Sequence, residues 1–365
     1  MSFIKGVDIS ILEELEALGV KYYDQGVNKD LFDILTYYDV NTIRLRLWHD
    51  PYDEQGHPYG GGTNDMEKTI HMAKRAKAKN LQFVLDLHYS DFWTDPGKQI
   101  KPKAWKNLSE VELENKVYQY TYETVKTFKE EGVQPEIIQI GNEITNGFLW
   151  PDGKTPNYDT MCSLLKQGIQ AVKDIDTKIK IILHLDFGGD NKLYRSWFDE
   201  VTKREVEFDI IGLSYYPFWH GTLEELSFNL NDISKRYNKE VLVVETAYGF
   251  TLESQEGCIN IFSQELADQG GYDPTPQGQS DFLVDLYNCL RSVENQKGLG
   301  FVYWEPAWIP VKNSTWATKA GRDYIKDTAK GGNSWANQSL FDYQGNALPA
   351  LKAIKEVMIN REAVK

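Results

Sequence analysis

Two glutamates, Glu143 and Glu245, each close an apolar run: Ile137 to Ile140 leads into Gly141-Asn142-Glu143, and Val241 to Val244 leads straight into Glu245. A carboxylate at the end of a buried strand is costly unless it is paired or titrates away from its usual range. Two such groups facing one another are what glycoside hydrolysis requires: a nucleophile for the anomeric carbon, and an acid/base that protonates the leaving oxygen and then activates water. Each could instead be an ion-pair partner at a strand end, and Arg44 bears on that choice. In Arg44-Leu45-Arg46-Leu47-Trp48 the two arginines and Trp48 share one face of a strand, while Ile43, Leu45 and Leu47 share the other. An inward guanidinium needs an anion, and Glu245 is its candidate. A fixed positive neighbour would keep that carboxyl ionised while the other holds its proton. Arg46 is read as a structural ion pair lower down.

Other polar and aromatic residues stand at the ends of further apolar runs. His88 lies in the segment Asp86 to Trp93, and His184 and Asp186 in His184-Leu185-Asp186. Tyr216 lies in Ser214-Tyr215-Tyr216-Pro217, and Trp304 and Trp308 in Tyr303-Trp304-Glu305-Pro306-Ala307-Trp308. The two histidines are read as hydrogen-bonding residues around the site. Trp93, Trp304 and Trp308 are candidate platforms for pyranose rings, whose C–H faces pack on indole, although each could equally be core. Trp105, Trp150 and Trp335 are candidates for outer subsites. The chain has no G-x-S-x-G elbow, P-loop, H-E-x-x-H helix or G-x-G-x-x-G turn, and no lysine ends a strand. Its six histidines lack short metal-ligand spacing, and Cys162, Cys258 and Cys289 form no C-x-x-C pair, so no metal or other cofactor is expected.

The elements that must position these residues alternate along the whole chain. Strand-like runs are read at Phe3 to Ser10, Thr42 to Trp48, Gln82 to His88, Ile137 to Asn142, Lys180 to Leu185, Asp209 to Tyr215, Glu240 to Glu245 and Gly300 to Trp304. Helical spacing falls between them, at Asp30 to Asp39, Asn64 to Lys79, Ser109 to Glu131, Tyr158 to Asp174, Lys192 to Thr202, Leu223 to Tyr237, Pro276 to Glu294 and Leu348 to Ile359. Ser109 and Glu112 form a capping pattern at the start of the third. Parallel strands need crossover helices, and eight such units close a (β/α)₈ TIM barrel, whose active site lies at the C-terminal ends of its strands. An open doubly wound sheet is the rival, without the glycine-rich turn that usually marks it. No linker or composition shift divides residues 1–365, which reads as one catalytic α/β domain.

Composition narrows the partners. The chain has 365 residues and a formal net charge of −14, which argues against nucleic acid, since phosphate binding needs a basic surface. No run of apolar residues is long enough to span a membrane. Aromatic residues make up 13% of the chain, which fits either a dense core or aromatic faces offered to a ligand such as a sugar. The start Met1 to Ser10 lacks the apolar stretch of a secretory leader, so the expected location is cytoplasmic, the alternative being extracellular with a leader removed.

Taken together, Gly141-Asn142-Glu143, the segment His88 to Pro96, Tyr215-Tyr216-Pro217-Phe218, Val243-Val244-Glu245-Thr246 and Tyr303 to Trp308 resemble the glycoside hydrolase family fifty-three endo-β-1,4-galactanases. The likeness runs from Gly6-Val7-Asp8 to Leu340-Phe341-Asp342. The Asn-Glu pair is shared by a whole clan of retaining barrels, whereas the segments around Trp93 and Trp304 are much more specific. The resemblance implies hydrolysis of internal β-1,4-galactosidic bonds in galactan and type I arabinogalactan, with retention and with carboxyl groups about 5 to 5.5 Å apart. It makes Glu143 the acid/base and Glu245 the nucleophile. It sets Asn142 against the sugar 2-hydroxyl, Arg44 and Tyr216 beside the nucleophile, and Trp304 under that sugar. Bacterial relatives often hold calcium between the loops after the last two strands. The matching segments here, Glu253 to Asn260 and Ser334 to Asn337, are a poor oxygen set, so no calcium or a weak site is expected. The implied partner is a galactan polysaccharide or oligosaccharide. The rivals are a mannanase or glucanase of the same clan, and a sugar-binding barrel without chemistry.

Overall fold

The computed structural model describes residues 2–362. Eight strands, β1 (Ile4–Asp8), β2 (Thr42–Leu47), β3 (Gln82–Leu87), β4 (Ile137–Ile140), β5 (Lys180–Leu185), β6 (Ile210–Ser214), β7 (Glu240–Thr246) and β8 (Gly298–Trp304), pair in parallel, and β1 joins both β2 and β8 to close a barrel. Between and after them run α1 (Leu31–Tyr37), α2 (Met66–Ala78), α3 (Glu110–Glu130), α4 (Tyr158–Ile175), α5 (Asn191–Lys203), α6 (Leu223–Tyr237), α7 (Pro276–Arg291) and α8 (Pro349–Glu362). Every expected strand and helix forms, and the TIM barrel stands. The capping box at Ser109 and Glu112 satisfies the first amides of α3, and Thr222 with Glu225 does the same for α6. The sequence reading missed the short helices Leu12–Ala17, Gln264–Gly270 and Lys319–Ile325 and two small hairpins. At two turns or less, none of these helices shows a periodicity to read. Among the described residues, no helix is long and apolar enough to cross a membrane.

Strand alternation divides each strand between two surroundings. Outward side chains such as Ile43, Leu45, Phe83, Leu85, Ile181 and Leu183 pack beneath the helices in the main core. Inward side chains at the N-terminal end of the barrel, among them Ile4, Val84, Ile137, Ile182, Ile210 and Val302, form a second, dry core. Gly212 fits there because a Cβ would come within 2.6 Å of Ile182 Cγ2. One or two pleats further along the same faces the interior turns polar, with Asp8, Arg44, Asp86, Gln139, His184 and Ser214 all buried.

Backbone irregularities at the strand ends decide which side chains reach that polar end. Val244 belongs to the inner core, so strict alternation would turn Glu245 outward, toward the helices. Between β6 and β7 the register slips from Leu213 opposite Val243 to Ser214 opposite Glu245, a bulge that swings the glutamate inward. Just after β3, β4, β5 and β8, one non-glycine residue each adopts the left-handed backbone: Tyr89, Glu143, Phe187 and Glu305.

Candidate active site

The polar end opens into a cleft of about 620 Å³ lined by Glu143 and Glu245 together. Of the residues singled out in the sequence, His88, Trp93, Asn142, Asp186, Tyr216, Trp304 and Trp308 share that lining, with Arg46 and Trp335. Arg44 and His184 do not reach it; both are fully buried beneath it and act on the lining residues. Trp105 is no subsite residue, because it is buried between His49 and Tyr120, with ring centroids 5.2 and 5.4 Å away. Trp150 lies outside the lining and donates its indole N–H to the Asn146 carbonyl at 3.0 Å. Trp219 and Trp316, which line the cleft, were missed; both lie in loops, where periodicity says nothing about direction.

Glu245 is held from two sides. An Arg44 guanidinium nitrogen lies 3.0 Å from Oε1, and the Tyr216 hydroxyl donates to Oε2 at 3.2 Å. The same guanidinium reaches Asp8 and Asp86, each at 2.8 Å, and donates to Asn142 Oδ1 at 2.9 Å. Arg46 pairs with Asp8 at 2.9 Å and with Glu305 at 2.5 Å. It is thus the ion pair expected of it, but at the cleft: its guanidinium also lies 4.7 Å from the Trp93 ring and 5.2 Å from that of Trp304. Four carboxyls, Asp8, Asp86, Glu245 and Glu305, therefore share two guanidinium groups, and burial pushes Glu305 up to about 8 despite its Arg46 partner.

Glu143 has a different neighbourhood. The Ser214 hydroxyl donates to its Oε1 at 2.6 Å and lies 2.8 Å from His184 Nε2. Burial holds the His184 imidazole well below its ordinary range, with Arg44 adding to the effect, so the ring is neutral and donates from Nε2 into that serine. Asn142 donates one amide hydrogen to the Thr94 carbonyl at 2.9 Å and keeps the other for the cleft. His88 is likewise kept neutral by burial, against the pull of Asp86.

These surroundings split the two carboxyls. Burial raises Glu143 well above the usual carboxyl range, and the Glu245 and Asp186 charges raise it further. Burial also raises Glu245, to about 7; Arg44 pulls down while Asp86 and Asp8 push up. Arg44 was expected to hold Glu245 in the ordinary ionised range. Shared among three carboxylates, it offsets only part of the desolvation. The order survives: Glu143, with no cation in contact, keeps its proton longer than Glu245.

The loops in which the resemblance marks a calcium position are tied by protein groups. Ile259 and Ile261 donate backbone N–H to Asn333 and Ser334, and the Asn337 amide donates to the Thr251 and Phe262 carbonyls, each at 3.0 Å. Asn260 donates to the Glu253 carbonyl at 3.2 Å. Among the described residues, no three His, Cys, Asp or Glu side chains converge as a metal site. The buried side-chain oxygens of Asn260 and Asn337 have no hydrogen-bond partner among the described residues, but without a cluster of carboxylates they make at most a weak oxygen set for calcium.

The family model for glycosyl hydrolase family 53 matches residues 4–354. The chain belongs to that family. It is 38% identical to the endo-β-1,4-galactanase of Bacillus subtilis (strain 168), over 97% of this chain and 85% of the relative. The family 53 catalytic domain of Ignisphaera aggregans superposes with a TM-score of 0.92 at 46% identity, covering 98% of this chain and 96% of that one. A fungal β-1,4-galactanase follows at 0.80 and 33%, covering 97% and 99%.

Proposed function

We propose that this family 53 chain hydrolyses internal β-1,4-galactosidic bonds of galactan and type I arabinogalactan by double displacement, with Glu143 as acid/base and Glu245 as nucleophile. Glu143 gives its proton to the glycosidic oxygen as the Glu245 carboxylate attacks the anomeric carbon; the C–O bond to the leaving sugar breaks, and a glycosyl ester forms on Glu245. The Glu143 carboxylate then takes a proton from water, the water oxygen attacks the same carbon, and Glu245 departs. Two inversions at one carbon retain its configuration. Asn142 offers its free amide hydrogen to the sugar, and Tyr216 and Arg44 stabilise the departing carboxylate. Trp304, backed by the Arg46 guanidinium, is the ring on which the sugar lies.

The observation that carries this reading is the unequal treatment of two buried carboxyls in one cleft, one against Arg44 and one against Ser214 alone. The substrate follows from the family and from the galactanase activity of its relatives in Bacillus subtilis and in fungi. Incubation with linear β-1,4-galactan, with mannan and carboxymethyl-cellulose as controls, is expected to release short galacto-oligosaccharides from galactan alone. Equal release from mannan would reassign the substrate, and no release from any polymer or from galactotetraose would remove the catalytic reading.

A further inference from the structure

The Phe187 carbonyl accepts from the Asp190 N–H at 2.8 Å in the turn into α5, but the side chain takes no part in the hydrophobic core. The residue follows Asp186 at the end of β5, leaves 44% of its surface in solvent, and adopts a left-handed backbone with φ of 49°. A bulky residue pays for that conformation, whereas glycine adopts it freely. Two glycines stand immediately after it, Gly188 and Gly189, yet neither occupies the strained position. Tyr89 carries the same strain with its side chain in the core, so what sets Phe187 apart is strain together with exposure, which points to a use for the side chain.

The surroundings say what that use is. The Phe187 ring lies just outside the cleft lining, 5.0 Å from the imidazole of His220, which belongs to it. On that imidazole's other contacts lies Trp219, at 6.4 Å between centroids, itself 41% exposed and part of the same lining. His220 lies 3.0 Å from the Ser214 carbonyl, and the Ser214 hydroxyl holds Glu143. The exposed aromatic surface thus begins beside the acid/base. A general acid must stand against the oxygen that leaves, so sugars on the leaving side of the cut extend from the Glu143 side of the cleft. Trp304 is separated from Trp219 by Trp335, whose ring lies 4.8 Å from the first and 6.4 Å from the second, and with Trp93 it packs against Arg46.

We infer that Phe187, with His220 and Trp219, is a stacking shelf for the galactose units on the leaving-group side of the scissile bond, and that it sets how many sugars the enzyme prefers to release from that side. This rests on the proposed function, since it needs a β-1,4-galactan chain in the cleft with Glu143 as its acid. An aromatic contact of this kind has the strength to change the preference among bonds by about three- to tenfold.

The test is the bond-cleavage pattern of galactopentaose labelled at its reducing end, which depends on the ratio of rates within one substrate and not on how much of a variant is folded. Wild type is expected to cut bonds that leave two or more sugars on the labelled side. Phe187→Ala should shift cleavage about three- to tenfold toward the labelled end, giving shorter labelled products, and Phe187→Tyr should restore the wild-type pattern. An unchanged pattern in Phe187→Ala overturns the shelf, as does a shift toward longer labelled products, which would place the ring on the other side of the cut. A shift that Phe187→Tyr fails to restore marks a backbone role and also overturns it. If wild type leaves galactopentaose intact, the failure lies with the proposed function and is visible before any variant is made.

Discussion

Along β3 two inward positions one pleat apart, Val84 and Asp86, belong to two differently built halves of the barrel. Val84 packs with Ile137, Ile182 and Val302 in a core with no charge. Asp86 lies 2.8 Å from Arg44 and accepts from Gln139 in a layer where nearly every side chain is ionisable or amide. Both layers are buried, so burial does not distinguish them. The difference is one of cost: the lower layer gains from leaving water, whereas the upper layer pays desolvation that its ion pairs return only in part. Burial, with a surplus of carboxyls over guanidinium groups, keeps protons on groups that would otherwise lose them. Within the barrel, the dry layer serves the fold alone, whereas the polar layer also carries the chemistry.

That contrast can be broken most sharply at the two glutamates. Glu245→Gln is expected to lower kcat on galactan by on the order of 10⁴-fold, as loss of a nucleophile does. Glu143→Gln should cost about 10² to 10⁴-fold on galactan and much less on an aryl galactoside, whose leaving group needs little protonation. Arg44→Met strips three carboxylates of a shared cation, and should destabilise by about 3 to 5 kcal/mol in denaturant titration while abolishing turnover. Ile182→Ala probes the other half: a loss of about 2 to 5 kcal/mol in the same titration, with kcat/KM within about twofold of wild type. A large fall in kcat/KM in that variant would erase the division between the halves.

Dependence on pH sharpens the comparison further. The folded pKa of Glu245 is about 7 against an ordinary value of 4.5, so the folded state holds a proton that the unfolded chain has released between those values. Stability from this group is therefore present below about 4.5 and is lost as pH rises to about 7. Glu245→Gln lacks that loss, so its melting temperature relative to wild type should climb across this window and level off above it. Rate takes the opposite course at first: kcat/KM should rise as Glu245 ionises and fall once Glu143 does, a bell whose acid limb lies near neutrality. Circular dichroism melts and initial rates over the same buffers check both.

Much of this was legible beforehand. Eight apolar runs alternating with amphipathic segments sufficed for the barrel, because each element is long enough to show its period. Arg44 was readable as inward, since alternation sends Ile43, Leu45 and Leu47 to the main core and Arg44 and Arg46 to the interior ion pairs. Glu245 was found by its position at a strand end, but its direction depends on a bulge that alternation contradicts. Glu143 reaches the cleft through a left-handed backbone, which no residue pattern announced. Trp105 failed as a subsite because indole serves a core as well as a sugar, and only its neighbours His49 and Tyr120 decide which. The weakened hold of Arg44 on Glu245 was invisible for a related reason, since Asp8 and Asp86 become competitors only once three strands are brought together.

The most direct measurement is to trap the glycosyl ester. A 2-deoxy-2-fluoro β-galactobiosyl fluoride slows both displacements but leaves the first the faster, so the ester accumulates, and mass spectrometry of proteolytic peptides locates the added sugar. The expected result is labelling of the peptide that contains Glu245, in wild type and not in Glu245→Gln, with turnover lost in step with labelling. Labelling on Glu143, or no ester alongside inversion at the anomeric carbon in the released product, would contradict the assignment of the two carboxyls on which the rest depends.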